Sequence, residues 1–586
     1  MKKNVLFIVI DSVTNDILFN KDNSSDIAPF LNNLRKKSIS GDKMYSEAPF
    51  TEAALMSLLA SANTMDNGGY MEKFKNIDNF SKYFKENGYK TLYCNYYPSI
   101  CPSYMVRDFD EILYIEGFQF MHLWDYRFEY FSKLYINGET TEEENKMLEF
   151  LMEDNFKHWI LYLEKLLNKD KETVMLNDCV NLEGMKKDVE TLKDEYSKFI
   201  KNKSKYLMSL FSSNGEHVLF KIKTYKMTDK VHDDEFRQKI MKKYRYVFKD
   251  IKKKDFTRNL VNNKFPYKKF IKSLKKRDYT TVKGLLAGYK NSLFDKDLFG
   301  RIDENYDCFK VQRSFYTVSQ EFFKWVEKNK EDNWLTYIHI DDAHFPEIFF
   351  TYDTNDEKII DEDMKRAEKY VKNLPKNYKG SIAYDLSLSY CDNVIKGIFE
   401  FLEKEKLMDD TIVVITADHG FSYYFSPVRE KYVLTNYKEN YNVPFLIYGK
   451  NVKPKKISGY CMNKDIPATI LDLVKIKIPS NFKGKSLLKY DGDDHAILEY
   501  MGGGCPDIKR RPVKLGVRTD NYSVFVEVKI SENFNFDNIT EIYDLKNDPY
   551  ENNNLKDSKD IMNKICKEID IIKTLFLDLK KEYGEN

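Results

Sequence analysis

The sequence predicts an α/β fold with a mostly parallel central sheet and helices on both faces. Residues 4–10 form a continuous apolar, β-branched run, which is typical of a strand buried on both sides of a parallel sheet. Similar runs at 334–340 and 411–416 each follow a segment with helical periodicity. This alternation of helix and strand with short links indicates an α/β sheet that is covered by helices on both faces.

The remaining core elements can be placed in chain order. A strand is predicted at 90–97, a long helix over 386–406 precedes the third run named above, and a further strand is predicted at 444–448. Two separate stretches of the chain therefore form the predicted α/β core, residues 1–120 and 326–490.

A large helical insertion interrupts this core. Between about 120 and 325 the alternation stops. The sequence there is rich in Lys and Glu, and apolar residues such as Leu148, Met152 and Trp159 recur at helical spacing. We predict that residues 121–325 form amphipathic helices that pack on each other and on the core. A partner-binding or substrate-selecting cap is the alternative.

The pattern changes again after about residue 490. A Gly-rich loop, MGGGCPD, leads to predicted strands at 513–518 and 522–528, and a closing helix is predicted over 558–582. We predict a small α+β subdomain over residues 491–586.

Composition restricts the class of protein. The chain has 586 residues, 42% of them hydrophobic, which is enough to bury more than one sizeable core. The net charge is only +2, so it gives no argument for nucleic acid or an anionic membrane as an obligatory partner, and any basic surface must be local. We expect no nucleic-acid partner, and a homo-oligomer is left open.

The cysteines and the hydropathy of the sequence indicate the cellular compartment in which the protein is expected. The eight cysteines lack a CxxC pair or a disulfide-scaffold spacing, which favours reduced thiols and the cytoplasm. No stretch approaches the roughly 20 apolar residues of a transmembrane segment. The N-terminus, MKKNVLFIVIDSV, imitates a signal peptide, but its apolar run is short and ends on Asp11, so we predict a buried strand instead.

Polar side chains follow three of the predicted strands. They are Asp11 after 4–10, Asp418 and His419 after 411–416, and Asp341, Asp342 and His344 after 334–340. Ligands of open α/β sheets bind beyond the carboxyl ends of the strands, so these positions are candidates for a site. Each has an ordinary alternative as a helix cap or a turn. We expect His339, which lies within its strand, to belong to the core.

Two carboxylates and an imidazole, from Asp11, Asp418 and His419, would form a mixed oxygen and nitrogen ligand set. Such a set suits one Zn²⁺ or Mn²⁺ ion, with Ca²⁺ and Mg²⁺ as the alternatives. Thr51 in APFTEAALMSLLAS lies at the start of an apolar helical run, where the helix dipole favours an anion. A metal-bound hydroxyl loses its proton readily, which makes Thr51 a candidate nucleophile and metal ligand. Taken alone, Thr51 could equally be a helix N-cap.

An anionic substrate would require cations beyond the metal. The candidates for substrate binding are Arg429, Lys431, Arg510 and Arg511. Their alternative role is that of solvated loop charges.

The chain resembles the sulfatase-like branch of the alkaline phosphatase superfamily over nearly its whole length except the insertion. The resemblance rests on five segments in order: NVLFIVIDS, APFTEAALMSLLAS, YDLSLSYCDNVIKGIFEFLEKEKLMDDTIVVITADHG, DIPATILDLVKIKIPSNFKGKSLL and EIYDLKNDPYENNNL. It implies an alkaline phosphatase-like sheet, a metal-dependent ester enzyme with Thr51 in the nucleophile position, and His344 as the histidine that assists the leaving group. In a two-metal arrangement Asp341 and Asp342 would hold a second ion with His495, but one metal is the favoured prediction.

Departures from the family pattern refine the expected function. True sulfatases carry a C/S-x-P-x-R signature and oxidise its first residue to formylglycine, whereas this chain has Thr51-Glu52-Ala53-Ala54-Leu55. Threonine instead resembles the nucleophile of phosphoethanolamine and phosphoglycerol transferases and phosphodiesterases. Ser12 replaces the usual second acid, which shifts the metal prediction toward Zn²⁺ or Mn²⁺.

The matches to the family motifs and the departures from them lead to one main prediction of function and two alternatives. The main prediction is a phosphodiesterase or phosphotransferase that acts through a phosphothreonine on a small-molecule, glycan-linked or lipid-linked ester. The alternatives are a sulfuric ester hydrolase and a catalytically inactive binding protein with the same fold.

Overall fold

A computed structural model describes most of the chain. The described residues are 3–19, 27–66, 78–95, 108–112, 126–168, 182–222, 239, 242–247, 267–279, 281–283, 314–344, 349–351, 354, 356–374, 381–421, 436–501, 508 and 510–583.

Fourteen strands are assigned within these residues. In chain order they are β1 (Asn4–Ile10), β2 (Ile39–Gly41), β3 (Met44–Tyr45), β4 (Lys90–Asn95), β5 (Glu111–Ile112), β6 (Trp334–Ile340), β7 (Thr411–Thr416), β8 (Phe445–Tyr448), β9 (Lys455–Ile457), β10 (Cys461–Met462), β11 (Ala496–Tyr500), β12 (Val513–Arg518), β13 (Tyr522–Val528) and β14 (Ile539–Asp544).

The described α-helices surround these strands. In chain order they are α1 (Asn15–Leu18), α2 (Pro29–Arg35), α3 (Thr51–Ala60), α4 (Phe80–Glu86), α5 (Tyr126–Ile136), α6 (Glu142–Leu167), α7 (Leu182–Lys201), α8 (Lys203–Phe211), α9 (Val218–Lys221), α10 (Tyr267–Lys275), α11 (Phe315–Asn329), α12 (Glu357–Asn373), α13 (Ile382–Lys404), α14 (Lys438–Tyr441), α15 (Asp465–Leu473) and α16 (Cys566–Tyr583).

The central sheet has eight strands in the order β5-β4-β6-β1-β7-β8-β2-β9. Strand β1 lies in its middle, parallel to β6 on one side and to β7 on the other. Every residue of these three strands is buried, which explains why each is mostly apolar on both faces rather than alternating. Only β8 runs antiparallel to its neighbours β7 and β2. The predicted α/β fold with a mostly parallel sheet is therefore confirmed.

A second sheet of four antiparallel strands, β11-β12-β13-β14, follows the central sheet in the chain. Helix α16 packs on β12 and β13. The elements agree with the predicted α+β subdomain, although α16 begins at Cys566, later than the predicted start near 558. The predicted boundaries between the three units stay predictions.

The helical character of the insertion is present wherever it is described. Helices α5 to α8 pack together, with Leu148, Met152 and Trp159 buried along α6. Among the described helices, none is long and apolar enough to cross a membrane. The four described cysteines, Cys94, Cys391, Cys461 and Cys566, are free thiols.

Candidate active site

Three parallel strands bring their last residues together at one edge of the central sheet. In the pairing of β1 with its neighbours, Val9 lies opposite both His339 of β6 and Thr416 of β7. Asp11 follows β1 directly, and Asp418 comes two residues after the end of β7. The carboxyl ends of parallel strands thus collect side chains that are hundreds of residues apart in sequence.

Asp11, His339 and Asp418 form a compact buried group. One ligand atom from each lies within 4.8 Å of the other two. Nε2 of His339 is 3.9 Å from Oδ2 of Asp11 and 3.7 Å from Oδ2 of Asp418. Among the described residues, neither Nε2 of His339 nor Oδ2 of Asp418 has a hydrogen-bond partner. Buried polar atoms are rarely left without a partner, so two that face one another fit a bound cation.

His419 extends this group. Its Nδ1 lies 2.7 Å from the carbonyl oxygen of Gly420, which can only accept, so Nδ1 carries the proton and Nε2 faces the carboxylates. Nε2 is 3.5 Å from Oδ1 of Asp11 and 3.6 Å from Oδ2 of Asp418. Burial lowers the pKa of His419, but these two carboxylates outweigh burial and raise it above its ordinary value. We call Asp11, His339, Asp418 and His419 the acid–imidazole cluster.

Thr51 directs its hydroxyl into the acid–imidazole cluster. Its Oγ1 lies 3.3 Å from Oδ2 of Asp11 and 3.3 Å from Nε2 of His419. Thr51 is the first residue of α3, and Phe50 with its extended backbone occupies the cap position. The hydroxyl therefore contacts the cluster instead of capping the helix. The first N–H groups of α3 have no carbonyl partner within the helix, so they can bind an anion beside Thr51.

Ser12 holds the two carboxylates in place. Its hydroxyl donates to Oδ1 of Asp11 at 2.7 Å, and its backbone N–H donates to Oδ1 of Asp418 at 3.2 Å. Its backbone has a φ of 63°, a left-handed conformation that few residues other than glycine adopt. The hydroxyl of Tyr384 donates to the Ser12 carbonyl at 2.8 Å, which helps to hold this conformation. Ser12 thus orients ligands where the family pattern has an acid.

The charges around Asp11 keep it ionised. Burial raises the pKa of Asp11, but His344, His419 and His339 together outweigh burial and lower it. Of the three histidines, His344 lowers the pKa of Asp11 the most. Its role at the leaving group stays a prediction. Glu52, the residue after Thr51, has a raised pKa because it is buried.

His339 corrects one expectation. We expected this residue to be an ordinary member of the core, and it is buried, but its Nε2 faces Asp11 and Asp418. The signal in the sequence was a histidine in an otherwise apolar strand, two residues before a pair of acids. Its Nδ1 lies 3.3 Å from the hydroxyl of Tyr337.

The other predicted site residues lie elsewhere or outside the described part. Asp342 accepts a hydrogen bond from the backbone N–H of Phe315 at 3.2 Å, so it supports the start of α11. His495 lies 2.7 Å from Asp494, and both are outside the acid–imidazole cluster. Asp341 is buried beside the end of β6. Among the described residues, one group with the spacing of metal ligands is found, and the number of bound ions stays a prediction.

The four predicted substrate-binding cations are not brought to the cluster by any described contact. Arg429 and Lys431 lie outside the described residues. Arg510 donates to Glu144 of α6 at 2.6 Å, and the guanidinium of Arg511 lies 5.9 Å from the ring centre of Tyr130. The two arginines thus contact the helical insertion, and their substrate-binding role stays a prediction.

Two family models match the chain. The sulfatase family model matches residues 3–263 and 239–476, and the model of the C-terminal region of N-sulphoglucosamine sulphohydrolase matches residues 431–575. Together they span most of the chain. The chain belongs to the sulfatase family.

Curated relatives match parts of the chain. An N-acetylglucosamine-6-O-sulfatase of Bacteroides thetaiotaomicron is 30% identical over 28% of this chain and 30% of its own length. An ulvan-active sulfatase of Formosa agariphila is 24% identical over 41% of this chain and 47% of its own length. A phosphopentomutase of Alkaliphilus oremlandii is 34% identical over 19% of this chain and 24% of its own length. This chain thus spans less than half the length of each of these relatives.

Among solved structures, yidJ of Bacteroides fragilis, which is assigned to the sulfatases, covers 99% of this chain and 96% of its own. The TM-score is 0.50 and the sequence identity is 13%, so this likeness concerns the fold alone.

Proposed function

We propose that this protein is a metal-dependent hydrolase of an oxyanion ester, with Thr51 as its nucleophile. The observation that carries the proposal is the position of the Thr51 hydroxyl, 3.3 Å from both Asp11 and His419 within the acid–imidazole cluster. A nucleophile next to ligands of a cation, at the start of a helix, is the arrangement that attack on an anionic ester requires.

A sulfuric ester carried by a glycan is the first candidate substrate. The relatives from Bacteroides thetaiotaomicron and Formosa agariphila are both named as sulfatases. These names support the sulfuric ester hydrolase better than the phosphate ester enzyme that the sequence alone favoured.

A phosphate ester is the second candidate, and a specific observation supports it. The nucleophile position holds the hydroxyl of Thr51, which cannot be oxidised to formylglycine. The relative from Alkaliphilus oremlandii is named as a phosphopentomutase, an enzyme of a phosphorylated sugar.

The residues of the cluster fit a divalent cation. Asp11, His339, Asp418, His419 and Thr51 would hold it, and we propose Zn²⁺ or Mn²⁺ because two of these side chains offer imidazole nitrogen. Such an ion, when bound, lowers the pKa of a coordinated hydroxyl and neutralises charge on the ester oxygens.

The chemical steps then follow from the positions of the side chains. The proton of the Thr51 hydroxyl passes to Oδ2 of Asp11 at 3.3 Å, because the single lone pair on Nε2 of His419, at the same distance, would be taken by the cation. Thr51 Oγ1 bonds to the sulfur or phosphorus as the bond to the alcohol oxygen breaks, and His344 donates a proton to that oxygen. Water, or a hydroxyl acceptor in a transfer reaction, then attacks the adduct and restores Thr51.

Replacement of the nucleophile tests this proposal. We expect Thr51→Ala to lower kcat by about 10³-fold or more while bound metal stays near one ion per chain, because the remaining four ligands are retained. Thr51→Ser keeps the hydroxyl and is the matched control, with a much smaller loss. The measurements are steady-state rates and elemental analysis.

Two outcomes would overturn the proposal. Full activity in Thr51→Ala would show that another group attacks the ester. A wild-type protein that binds no divalent metal and hydrolyses no ester would instead support an inactive binding protein.

A comparison of substrates separates the two candidate esters. Parallel assays would use N-acetylglucosamine 6-sulfate, p-nitrophenyl sulfate, p-nitrophenyl phosphate and bis-p-nitrophenyl phosphate. The first candidate predicts the highest kcat/KM on a sulfate ester, and the second predicts it on a phosphate ester. Mass spectrometry of the Thr51 peptide would identify the adduct.

We further propose that the protein works in a reducing compartment, the cytoplasm. The free thiols of Cys94, Cys391 and Cys461 support this location because all three are buried in the core without a disulfide. Fluorescence microscopy of the tagged protein in its native cell would test it.

A further inference from the structure

One stretch of the chain is far more basic than the rest. Residues 239–283 contain 17 lysines and arginines against three aspartates, a net charge of +14, whereas the whole chain has a net charge of +2. Such local asymmetry marks a surface that attracts polyanions. Helix α10 and the turn after it, residues 267–279, are the longest described part of this stretch.

The outward side of α10 combines basic and apolar groups. Lys272, Lys275, Lys276 and Arg277 are all exposed. Ile271 is 48% exposed and Leu274 is 43% exposed, although both are large and apolar. They are three residues apart on a helix, so they lie side by side, and the lysines flank them.

Buried residues of α10 explain why this side of the helix faces outward. Ser273 is buried and Phe270 is half-buried, so the helix rests on the protein through these residues. Tyr279, just after the helix, is 60% exposed. We call Ile271, Lys272, Leu274, Lys275, Lys276, Arg277 and Tyr279 the basic apolar surface.

The described part of the chain offers little negative charge to the basic apolar surface. Lys276 helps to lower the pKa of Asp278, but Asp278 is the one acid against six lysines and arginines in residues 267–279. No described carboxylate lies within ion-pair distance of Lys272, Lys275, Lys276 or Arg277. The neighbouring basic residues Lys239 and Lys243, in contrast, pair with Glu357 and Asp361 of α12. The positive charge of α10 is therefore available to an external anion.

We infer that the basic apolar surface docks the protein onto an anionic lipid bilayer. Lysines attract the negatively charged headgroups, and exposed isoleucine, leucine and tyrosine side chains enter the boundary between headgroups and acyl chains. A soluble polyanion such as a nucleic acid or a sulfated glycan would use the lysines but offers no apolar medium for Ile271 and Leu274. The coexistence of both groups on one side of α10 therefore favours a membrane surface.

Docking would place the enzyme on the surface where a lipid-linked ester is found. The inference does not depend on the proposed ester hydrolysis, since α10 contributes no residue to the acid–imidazole cluster. The two can fail separately because vesicle binding and hydrolysis are read by different assays.

Vesicle sedimentation tests the inference. The full-length protein is expected to sediment with vesicles of phosphatidylcholine and phosphatidylglycerol but not with phosphatidylcholine alone, and added salt should release it. The triple variant K272Q/K275Q/K276Q should bind roughly 100-fold more weakly, at roughly fivefold per lysine. The double variant I271S/L274S should bind about tenfold more weakly.

Matched controls come from exposed residues of the same insertion. The variants K186Q/K187Q/K201Q and F150S/I200S remove equivalent charge and apolar area from α6 and α7, and they should bind like the wild type. Circular dichroism melts would show that each variant is folded.

Two results would overturn the inference. One is a wild-type protein that does not sediment with the anionic vesicles. The other is unchanged binding by I271S/L274S together with stronger capture on dextran sulfate, which would assign the surface to a soluble polyanion.

Discussion

The contacts of His339 in the structure indicate a role that its position in the sequence does not. In the sequence it is one polar residue in the apolar strand β6. In the structure its two ring nitrogens have different surroundings, with Nδ1 at 3.3 Å from the Tyr337 hydroxyl and Nε2 facing Asp11 and Asp418. For Nε2 to bind the proposed cation through its lone pair, Nδ1 must carry the proton and donate it to the Tyr337 oxygen. Burial raises the pKa of Tyr337 well above its ordinary value, so the hydroxyl stays neutral and its oxygen accepts through a lone pair.

This contact predicts that Tyr337 tunes the metal site. In Tyr337→Phe the ring still packs, but Nδ1 of His339 loses its partner, so the imidazole is free to rotate or to change tautomer. We expect affinity for Zn²⁺ or Mn²⁺ to fall about tenfold or more. Competition with a chelator would measure the dissociation constant.

Tyr441→Phe is the control for this prediction. Tyr441 is also fully buried and donates to Asn436 at 3.2 Å, but it makes no contact with the acid–imidazole cluster. Its removal should leave metal affinity unchanged. If Tyr337→Phe binds metal as tightly as the wild type, His339 is a packed core residue and not a ligand.

At the scale of elements, short connections position the site as much as the strands do. His419 follows β7 and bonds to the carbonyl of Gly420, whose own N–H donates to Asn440 of α14 at 2.9 Å. A Cβ on Gly420 would lie 1.9 Å from the carbonyl oxygen of Glu439. Only glycine allows this close approach between the β7 loop and α14.

Gly420→Ala is therefore expected to disturb the site. The added methyl group must push the β7 loop away from α14, and His419 moves with it. We expect metal affinity and kcat to fall at least about tenfold and thermal stability to drop. Isothermal titration with metal and a thermal melt would measure these effects.

Gly397→Ala provides the matched comparison. Gly397 lies within α13, and a Cβ there would have no neighbour within 4 Å. Alanine favours a helix over glycine by about 1 kcal/mol, so this variant should be as stable as the wild type or more so. Equal behaviour of the two variants would show that the approach of α14 does not position His419.

At the scale of the whole molecule, buried polar contacts link the four-stranded sheet to α14 and to the loop before α3. Arg518 of β12 pairs with Glu551, and Glu551 also accepts from the backbone N–H of Lys438 in α14 at 2.7 Å. The backbone N–H of Glu499 in β11 donates to the carbonyl of Glu47, in the loop before α3, at 2.8 Å. The side chains of Glu47 and Glu499 are both buried, and burial raises the pKa of each to about 7.

The raised pKa values of the buried Glu47 and Glu499 predict that the stability of the protein depends on pH. The ordinary glutamate pKa of 4.5 applies when the chain is unfolded, so between about 4.5 and 7 the folded protein holds more protons than the unfolded chain. The stabilisation from Glu47 and Glu499 is thus complete below about pH 4.5 and is lost as the pH rises through about 7. Lys464 opposes this effect and Asp66 and Asp465 reinforce it.

Glu499→Gln should reduce this dependence because glutamine resembles the protonated acid. We expect the variant to be more stable than the wild type at about pH 8, by an amount of order 1 kcal/mol, and similar to it at about pH 5. Urea unfolding at both pH values would measure the free energies. The exposed Glu403→Gln is the control, and a constant difference between Glu499→Gln and the wild type at both pH values would contradict the prediction.

The sequence by itself determined the main elements of the fold and most of the site. Strands 4–10, 334–340 and 411–416 were predicted with the bounds that the structure has, because strands buried on both faces need continuous apolar runs. Asp11, Asp418 and His419 could be identified because each follows such a strand, and Thr51 because it opens an apolar helix.

Only the tertiary structure decided which of these side chains meet. The lateral order of the sheet, with β1 between β6 and β7, is set by packing between segments some 330 to 400 residues apart, and no local pattern encodes it. That order brings His339 to Asp11 and Asp418 and gives Ser12 its orienting role. The packing of the chain also leaves Ile271 and Leu274 of α10 exposed, although their residue types alone would place them in the core. The sequence specifies which side chains are apolar and which are polar or charged. The packing of the folded chain decides which of them contact one another.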